Sequence, residues 1–308
     1  MAVYELLGLD PSRSRLTVRT AAGLSPFLGR ARELAQLQEF ATLAAAGRGQ
    51  VVTVLGEAGL GKSRLLEESK PLLRTLGFLL IEGEGFAYGK TRAHAPLIDM
   101  LKRYCGIAEH DPVASYHEKL QRMLTGMHAS MATFAPLFLD LLGVAPEDPA
   151  LATMPGEAKL QQIFAGIKRL IAFQCQRQPV AFLIEDLHWL DPHSLGFLRN
   201  LATSLETLPV LILSSSRPGY EMPWEEQAHV HLVHLEPLPP EVSTTLFSAL
   251  TGALPSEAAL AASICQRSGG NPLFLEELVH ALHETGALTD APHPQPSPLS
   301  PPEWRSEE

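Results

Sequence analysis

The sequence is poor in cysteine, has no long apolar run and is short of positive charge, and each shortage narrows what the chain can be. Its 308 residues include three cysteines, Cys105, Cys175 and Cys265, odd in number and far apart. They fit neither a disulfide framework nor a zinc-ligand spacing, so a reducing cytosol is the expected compartment. No stretch approaches the roughly 20 apolar residues that span a bilayer. Met1 to Pro11 lacks a basic segment followed by an apolar one, so no secretory signal is read there and no membrane partner is expected. Lysine and arginine number 24 against 34 aspartates and glutamates, a net charge of −10, which argues against direct binding of nucleic acid. An Asn-Lys-x-Asp segment, which would favour guanine, is absent, and there is no internal repeat. What remains is ordinary globular material: 45% hydrophobic residues, enough for one large domain and a smaller one.

Against that background Gly56-Glu57-Ala58-Gly59-Leu60-Gly61-Lys62-Ser63 stands out, because it fits GxxxxGK[ST] in the context that motif needs. The apolar run Gln50 to Leu55 reads as a strand leading in, and Arg64 to Ser69 reads as a helix leading out. Glycines let successive N–H groups turn inward around phosphate oxygens. The positive end of the following helix faces the same anion. The loop from Gly56 to Ser63, with Arg64 at the helix start, is therefore expected to hold ATP or ADP. Lys62 is expected on the β- and γ-phosphates and Ser63 on Mg²⁺.

A second apolar strand, Val180 to Ile184, runs directly into Glu185 and Asp186. Carboxylates at the carboxyl edge of a buried strand need a cation or a hydrogen-bonding partner. Mg²⁺ supplies one, and a second carboxylate can orient an attacking water. The commoner order is Asp then Glu; here Glu185 is assigned to the metal and Asp186 to water activation. Asp191 reads as the N-cap of a helix starting at Pro192, Trp189 as packing and His188 as structural. The strand Pro209 to Ser214 ends in Ser214-Ser215-Ser216-Arg217, and Arg217 is the candidate sensor of a γ-phosphate, if that strand lies between the other two. His229 and His231 share one face of a short strand, and with no third ligand at a convincing spacing they read as a solvated edge.

Strands at Gln50–Leu55, Gly77–Gly83, Val180–Ile184, Pro209–Ser214 and, at an edge, Val230–Leu235 alternate with helical stretches. That pattern predicts an α/β fold: a parallel sheet with helices on both faces. Gly77–Gly83 reads as a buried strand. Ala95–Arg177 reads as helical, broken near Pro112, Gly126 and Pro146–Pro155. Only helical patterns remain from Pro239 to Leu288, and Thr289–Glu308 is proline-rich and expected to be disordered. The expected organisation is a linker over 1–24, holding one candidate edge strand at Val3–Leu7, a P-loop core over 25–237, a helical lid over 238–288 and a tail over 289–308.

Together these residues resemble the origin-recognition-complex-like AAA ATPase domains of the signal-transducing STAND class. Pro26-Phe27-Leu28-Gly29-Arg30-Ala31-Arg32-Glu33-Leu34 resembles the segment that opens those domains. Glu185 to Asp191 resembles their metal-acid motif, Ser216-Arg217-Pro218 their arginine-bearing strand end, and Gly270 to Glu277 an element of their lid. The resemblance implies that Gly29 and Arg30 lie near the adenine and ribose, that Pro272 packs against the base, and that the lid reports ADP against ATP. Val3 to Gly8 and the Arg-Ser-Arg stretch after it resemble the join between a class III nucleotide cyclase domain and such an ATPase. Neither a cyclase nor an effector region is seen, so the chain is expected to be an ATPase core, either a fragment or a shortened paralogue. Expected partners are the nucleotide, a protein partner or flanking signalling modules, and other copies in a nucleotide-dependent oligomer. Three functions compete: a slowly hydrolysing ATP switch, a non-hydrolysing nucleotide-dependent interaction module, and a small-molecule kinase. The last is disfavoured because residues 239–288 offer only Arg267 to an arginine-rich lid.

Overall fold

The computed structural model describes residues 25–84, 94–108, 110–224, 227–252 and 258–285. The linker expected over 1–24, with its candidate strand, and the tail expected over 289–308 lie outside the described residues. Contacts divide the chain into two units, Arg30–Glu236 and a second that joins Met1–Gly29 to Pro237–Glu308.

The larger unit is built on a five-stranded sheet. Its strands are β1 (Gln50–Leu55), β2 (Leu79–Glu84), β3 (Val180–Glu185), β4 (Val210–Ser216) and β5 (Val230–His234), in the order β2-β3-β4-β1-β5. All four pairings are parallel. Every residue of β1 and β4 is buried; because side chains alternate between faces, both faces must be covered. Helices α1 (Ala31–Ala45) and α2 (Lys62–Thr75) pack on the central strands, and α3 (Ala95–Cys105) packs on β2. Helix α2 runs through Pro71, further than the segment read as helical. The proline costs one backbone hydrogen bond, that to the Glu67 carbonyl.

Between β2 and β3 the chain forms a helical insert: α4 (Val113–Met127), α5 (Ala135–Leu141), α6 (Pro149–Ala152) and α7 (Gly156–Cys175), with a 3-10 segment over Ala129–Phe134. Leu120, Leu124, Met131 and Phe138 there are fully buried, in one apolar cluster with Phe182 and Ile184 of β3. Each such side chain contributes about 1.5–3 kcal/mol, so the insert is core and not decoration. Helix α8 (Pro192–Ala202) follows β3.

Two expectations change. β2 starts at Leu79 and, among the described residues, lies at the sheet edge, paired only with β3 and half-buried, not buried throughout. The His229–His231 pair is not a solvated edge. His229 is 7% exposed and its Nε2 meets the Ala202 carbonyl at 3.0 Å. The His231 ring stacks on Phe40, and its Nε2 is 2.8 Å from Gln50 Oε1.

The smaller unit holds α9 (Pro240–Thr251), α10 (Ala258–Ser268) and α11 (Pro272–Glu284). Leu238, Leu246, Phe247, Ile264, Leu275 and Val279 form its core, and Leu28 packs on it. Residues 25–29, read from sequence as the front of the P-loop core, group with this unit. Among the described residues no helix is long and apolar enough to cross a membrane.

Candidate nucleotide-binding site

The glycine loop joins the buried end of β1 to the first turn of α2. Gly59 and Gly61 have φ of 84° and 93°, a region that side chains with a Cβ avoid. At Gly56 an added Cβ would sit 3.1 Å from the Leu235 Cβ. Helix α2 has no side-chain cap at Gly61, so no side chain there occupies the first N–H groups of the helix, the arrangement that suits an anion. Lys62 is 8% exposed, and its Nζ donates to the carbonyls of Gly56 (2.8 Å) and Glu57 (3.0 Å). Burial lowers its pKa; the nearby Asp186 carboxylate opposes that shift and the Arg217 guanidinium adds to it. Arg30 braces the loop. Its guanidinium is 3.1 Å from the Leu60 carbonyl, 2.7 Å from that of Glu236 and 3.1 Å from Glu33 Oε1.

The acids come from β3. The Ser63 hydroxyl, at the start of α2, lies near the Glu185 carboxylate at the end of β3. Burial pushes the Glu185 carboxyl above its ordinary range; the Ser63 hydroxyl opposes this, the Asp186 charge adds to it, and Lys70 also opposes it. Asp186 follows in a left-handed conformation, φ 53° and ψ 58°, which is costly for a residue with a Cβ. Its N–H donates to Ser215 Oγ at 3.0 Å, which holds the turn against β4.

β4 lies between β3 and β1, the condition set for Arg217, which is exposed and follows directly on that strand. Ser214, Ser215 and Ser216 are all fully buried. Ser214 Oγ is 3.0 Å from Thr53 Oγ1, Ser215 holds Asp186, and Ser216 Oγ has no hydrogen-bond partner among the described residues. A buried hydroxyl without a partner costs about 1–3 kcal/mol, and it adds an unused polar group to β4 where the chain turns to Arg217.

The structure thus brings together Lys62, Ser63, Glu185, Asp186 and Arg217. This donor set fits a nucleotide phosphate and a hard cation: backbone N–H groups and cations for the phosphates, a hydroxyl and a carboxylate for the metal. Sequence reading missed the serine relay and Lys70, whose Nζ is 2.9 Å from Glu82 Oε2 of β2. The relay's signal was present in sequence, since three consecutive hydroxyls close an otherwise apolar strand. Other candidates stand apart. Asp191 caps α8, accepting from His193 and Ser194 N–H at 3.1 Å each, and His188 packs its ring near Trp189 and Tyr220. Gly29 has φ 73°, and its Cβ position is filled by Val242 of the smaller unit. Pro272 opens α11 behind Asn271, whose side chain accepts from the Phe274 N–H.

Three comparisons bear on this chain. A curated relative, an uncharacterised protein of Rhizobium meliloti (strain 1021), is 28% identical over 266 residues, 82% of this chain and 25% of the relative. The chain therefore spans about a quarter of that relative's length. Among solved structures, a signal-transduction ATPase with numerous domains and a tetratricopeptide-repeat sensor from Pyrococcus horikoshii is 19% identical (TM-score 0.42; 84% of this chain, 33% of that one). A RuvB variant from Thermotoga maritima is 13% identical (TM-score 0.42; 83% and 61%). Domain III of the replication initiation protein DnaA, also from Thermotoga maritima, is 14% identical (TM-score 0.42; 87% and 90%). The family model for the AAA ATPase domain matches residues 26–213, from the segment before α1 through most of β4. That span takes in the glycine loop, both acids and the strand between them, and the chain belongs to the AAA ATPase domain family.

Proposed function

We propose that the chain is a Mg²⁺-dependent ATP-binding module of the STAND class that hydrolyses slowly and switches between ATP- and ADP-bound states. The observation that carries this is the buried Lys62 held on the Gly56 and Glu57 carbonyls at the head of α2, with Ser63 next to it in sequence and near Glu185 of β3. Lys62, now on the Gly56 and Glu57 carbonyls, is the cation for the β- and γ-phosphates. Ser63 and Glu185 are the metal pair, and bound Mg²⁺ would neutralise charge developing on the phosphates. Asp186 accepts the proton of the attacking water, and Arg217 distinguishes triphosphate from diphosphate. Gly29, Arg30 and Pro272 are assigned to the adenine and ribose by family resemblance. A relative more than three times as long supports further modules flanking such a core; signalling modules as partners and nucleotide-dependent self-association belong to the same reading.

The Glu-then-Asp order favours a second reading, a nucleotide-dependent interaction module without hydrolysis. Phosphate release under single turnover separates the two. The switch reading expects slow but measurable release in wild type. It also expects a fall of about 10²-fold or more in Asp186→Asn, as for loss of a general base, with ATP affinity kept. Release indistinguishable from the uncatalysed background in wild type would establish the second reading.

A further inference from the structure

Away from the phosphate loop, a groove of about 590 Å³ runs along β2. Among the described residues β2 pairs only with β3, and the Leu79 N–H donates to the Pro179 carbonyl at 2.8 Å. Because successive residues of a strand direct their N–H and C=O to opposite sides, Leu80 and Glu82 direct theirs away from the sheet. Such an edge can template another strand, and proteins guard edges of this kind.

The groove's walls carry a different charge from the chain as a whole. Arg103 at the end of α3, Arg122 on α4 and Arg177 beyond α7 all line it, in a chain of net charge −10. Arg103 is exposed and has no ion pair among the described residues. Arg122 pairs with Glu118 four residues before it, but both side chains are 72% exposed, so that pair is worth little and can be exchanged. Arg177 places Nη2 2.7 Å from the Gly126 carbonyl and keeps its other donors. Glu82, the carboxylate among the lining residues, is already held by Lys70. Between the arginines Met123, Met127 and Tyr104 give an apolar floor. The Tyr104 hydroxyl is fixed at 2.9 Å from Gln174 Oε1.

We propose that the β2 groove docks an extended, acidic peptide segment of a partner protein, which adds to β2 as a further strand. Backbone N–H and C=O groups of the peptide pair with Leu80 and Glu82, alternate carboxylates reach Arg103, Arg122 and Arg177, and intervening apolar side chains lie on Met123 and Met127. A helix offers no free backbone groups to this edge. A small anion would use the arginines and leave the edge idle; the peptide uses both. β2 also reaches the nucleotide end, since Glu84 is in register with Glu185 and Lys70 joins Glu82 to α2.

The test is fluorescence anisotropy on the full chain with three labelled ten-residue peptides: alternating valine and glutamate, alternating valine and lysine, and the glutamate peptide N-methylated at every backbone nitrogen, so that neither edge of it can donate. The glutamate peptide is expected to bind saturably in the micromolar range, and the other two at least about tenfold more weakly. Arg103→Glu combined with Arg122→Glu is expected to lower affinity at least about tenfold with an unchanged melting temperature, since both side chains are exposed. Equal binding of the N-methylated peptide would reduce the groove to an anion patch and overturn strand addition. No saturable binding of the glutamate peptide, or equal binding by the double variant, would overturn the proposal as a whole.

Discussion

At the scale of single residues, the site sets charges that help a ligand against charges that burden the fold. Glu185 is half-buried close to Asp186, and both circumstances raise the cost of keeping it ionised. Removing that charge while keeping its shape should separate the two roles. Glu185→Gln is expected to raise the nucleotide-free melting temperature at neutral pH, by an amount corresponding to about 1 kcal/mol or more, because an incompletely compensated buried charge is destabilising. The same variant should lose the Mg²⁺ dependence of ATP binding. Thermal melts with and without nucleotide and chelator read both; a lower nucleotide-free melting temperature would show that the carboxylate stabilises the fold. The acids themselves were legible in sequence, because two charges after five apolar strand residues have no ordinary packing role. The left-handed backbone of Asp186 was not. It depends on Ser215 of a strand 29 residues away, and local propensity disfavours it.

At the scale of elements, a helix start was legible where its cap is local: Asp191 and Pro192 start α8. The end of α2, which runs past Pro71 to Thr75, was not. Strand order was not legible, since a parallel ladder is made of distant pairs and the apolar run of an edge strand differs little from a central one. The same lack of local signal hid Gly166. In α7 its added Cβ would lie 2.6 Å from the Phe134 ring and 3.0 Å from that of Phe138. Gly166→Ala, normally favourable in a helix, is instead expected to cost about 1–3 kcal/mol through overpacking. Chemical denaturation measures this, and a stabilised variant would show that the aromatic pair gives way freely. β5 carries a pH dependence. Burial, with the nearby His229, depresses the His231 pKa below its ordinary 6.5, while Glu39 opposes the shift. The neutral ring is the form that folding favours, so its contribution is present above pH 6.5 and is lost as the pH falls through the depressed value. His231→Gln should flatten the decline in melting temperature as the pH falls below 6.5; an unchanged slope would assign the decline to other groups.

At the scale of the whole molecule, two units share one chain, and the larger carries the phosphate loop, both acids and Arg217. In the proposed switch Arg217 is the group that would make ATP differ from ADP, because a ligand shifts an equilibrium only by its differential affinity. The most direct measurement is calorimetric titration of the full chain with ATP and with ADP in Mg²⁺, in wild type, Lys62→Ala and Arg217→Ala. Wild type is expected to bind both nucleotides with different affinities. Arg217→Ala should bring the two affinities together, and Lys62→Ala should weaken both by about tenfold or more, corresponding to at least about 1.4 kcal/mol. No binding of either nucleotide to wild type, or affinities that Lys62→Ala leaves unchanged, would contradict a nucleotide site at the Gly56–Ser63 loop.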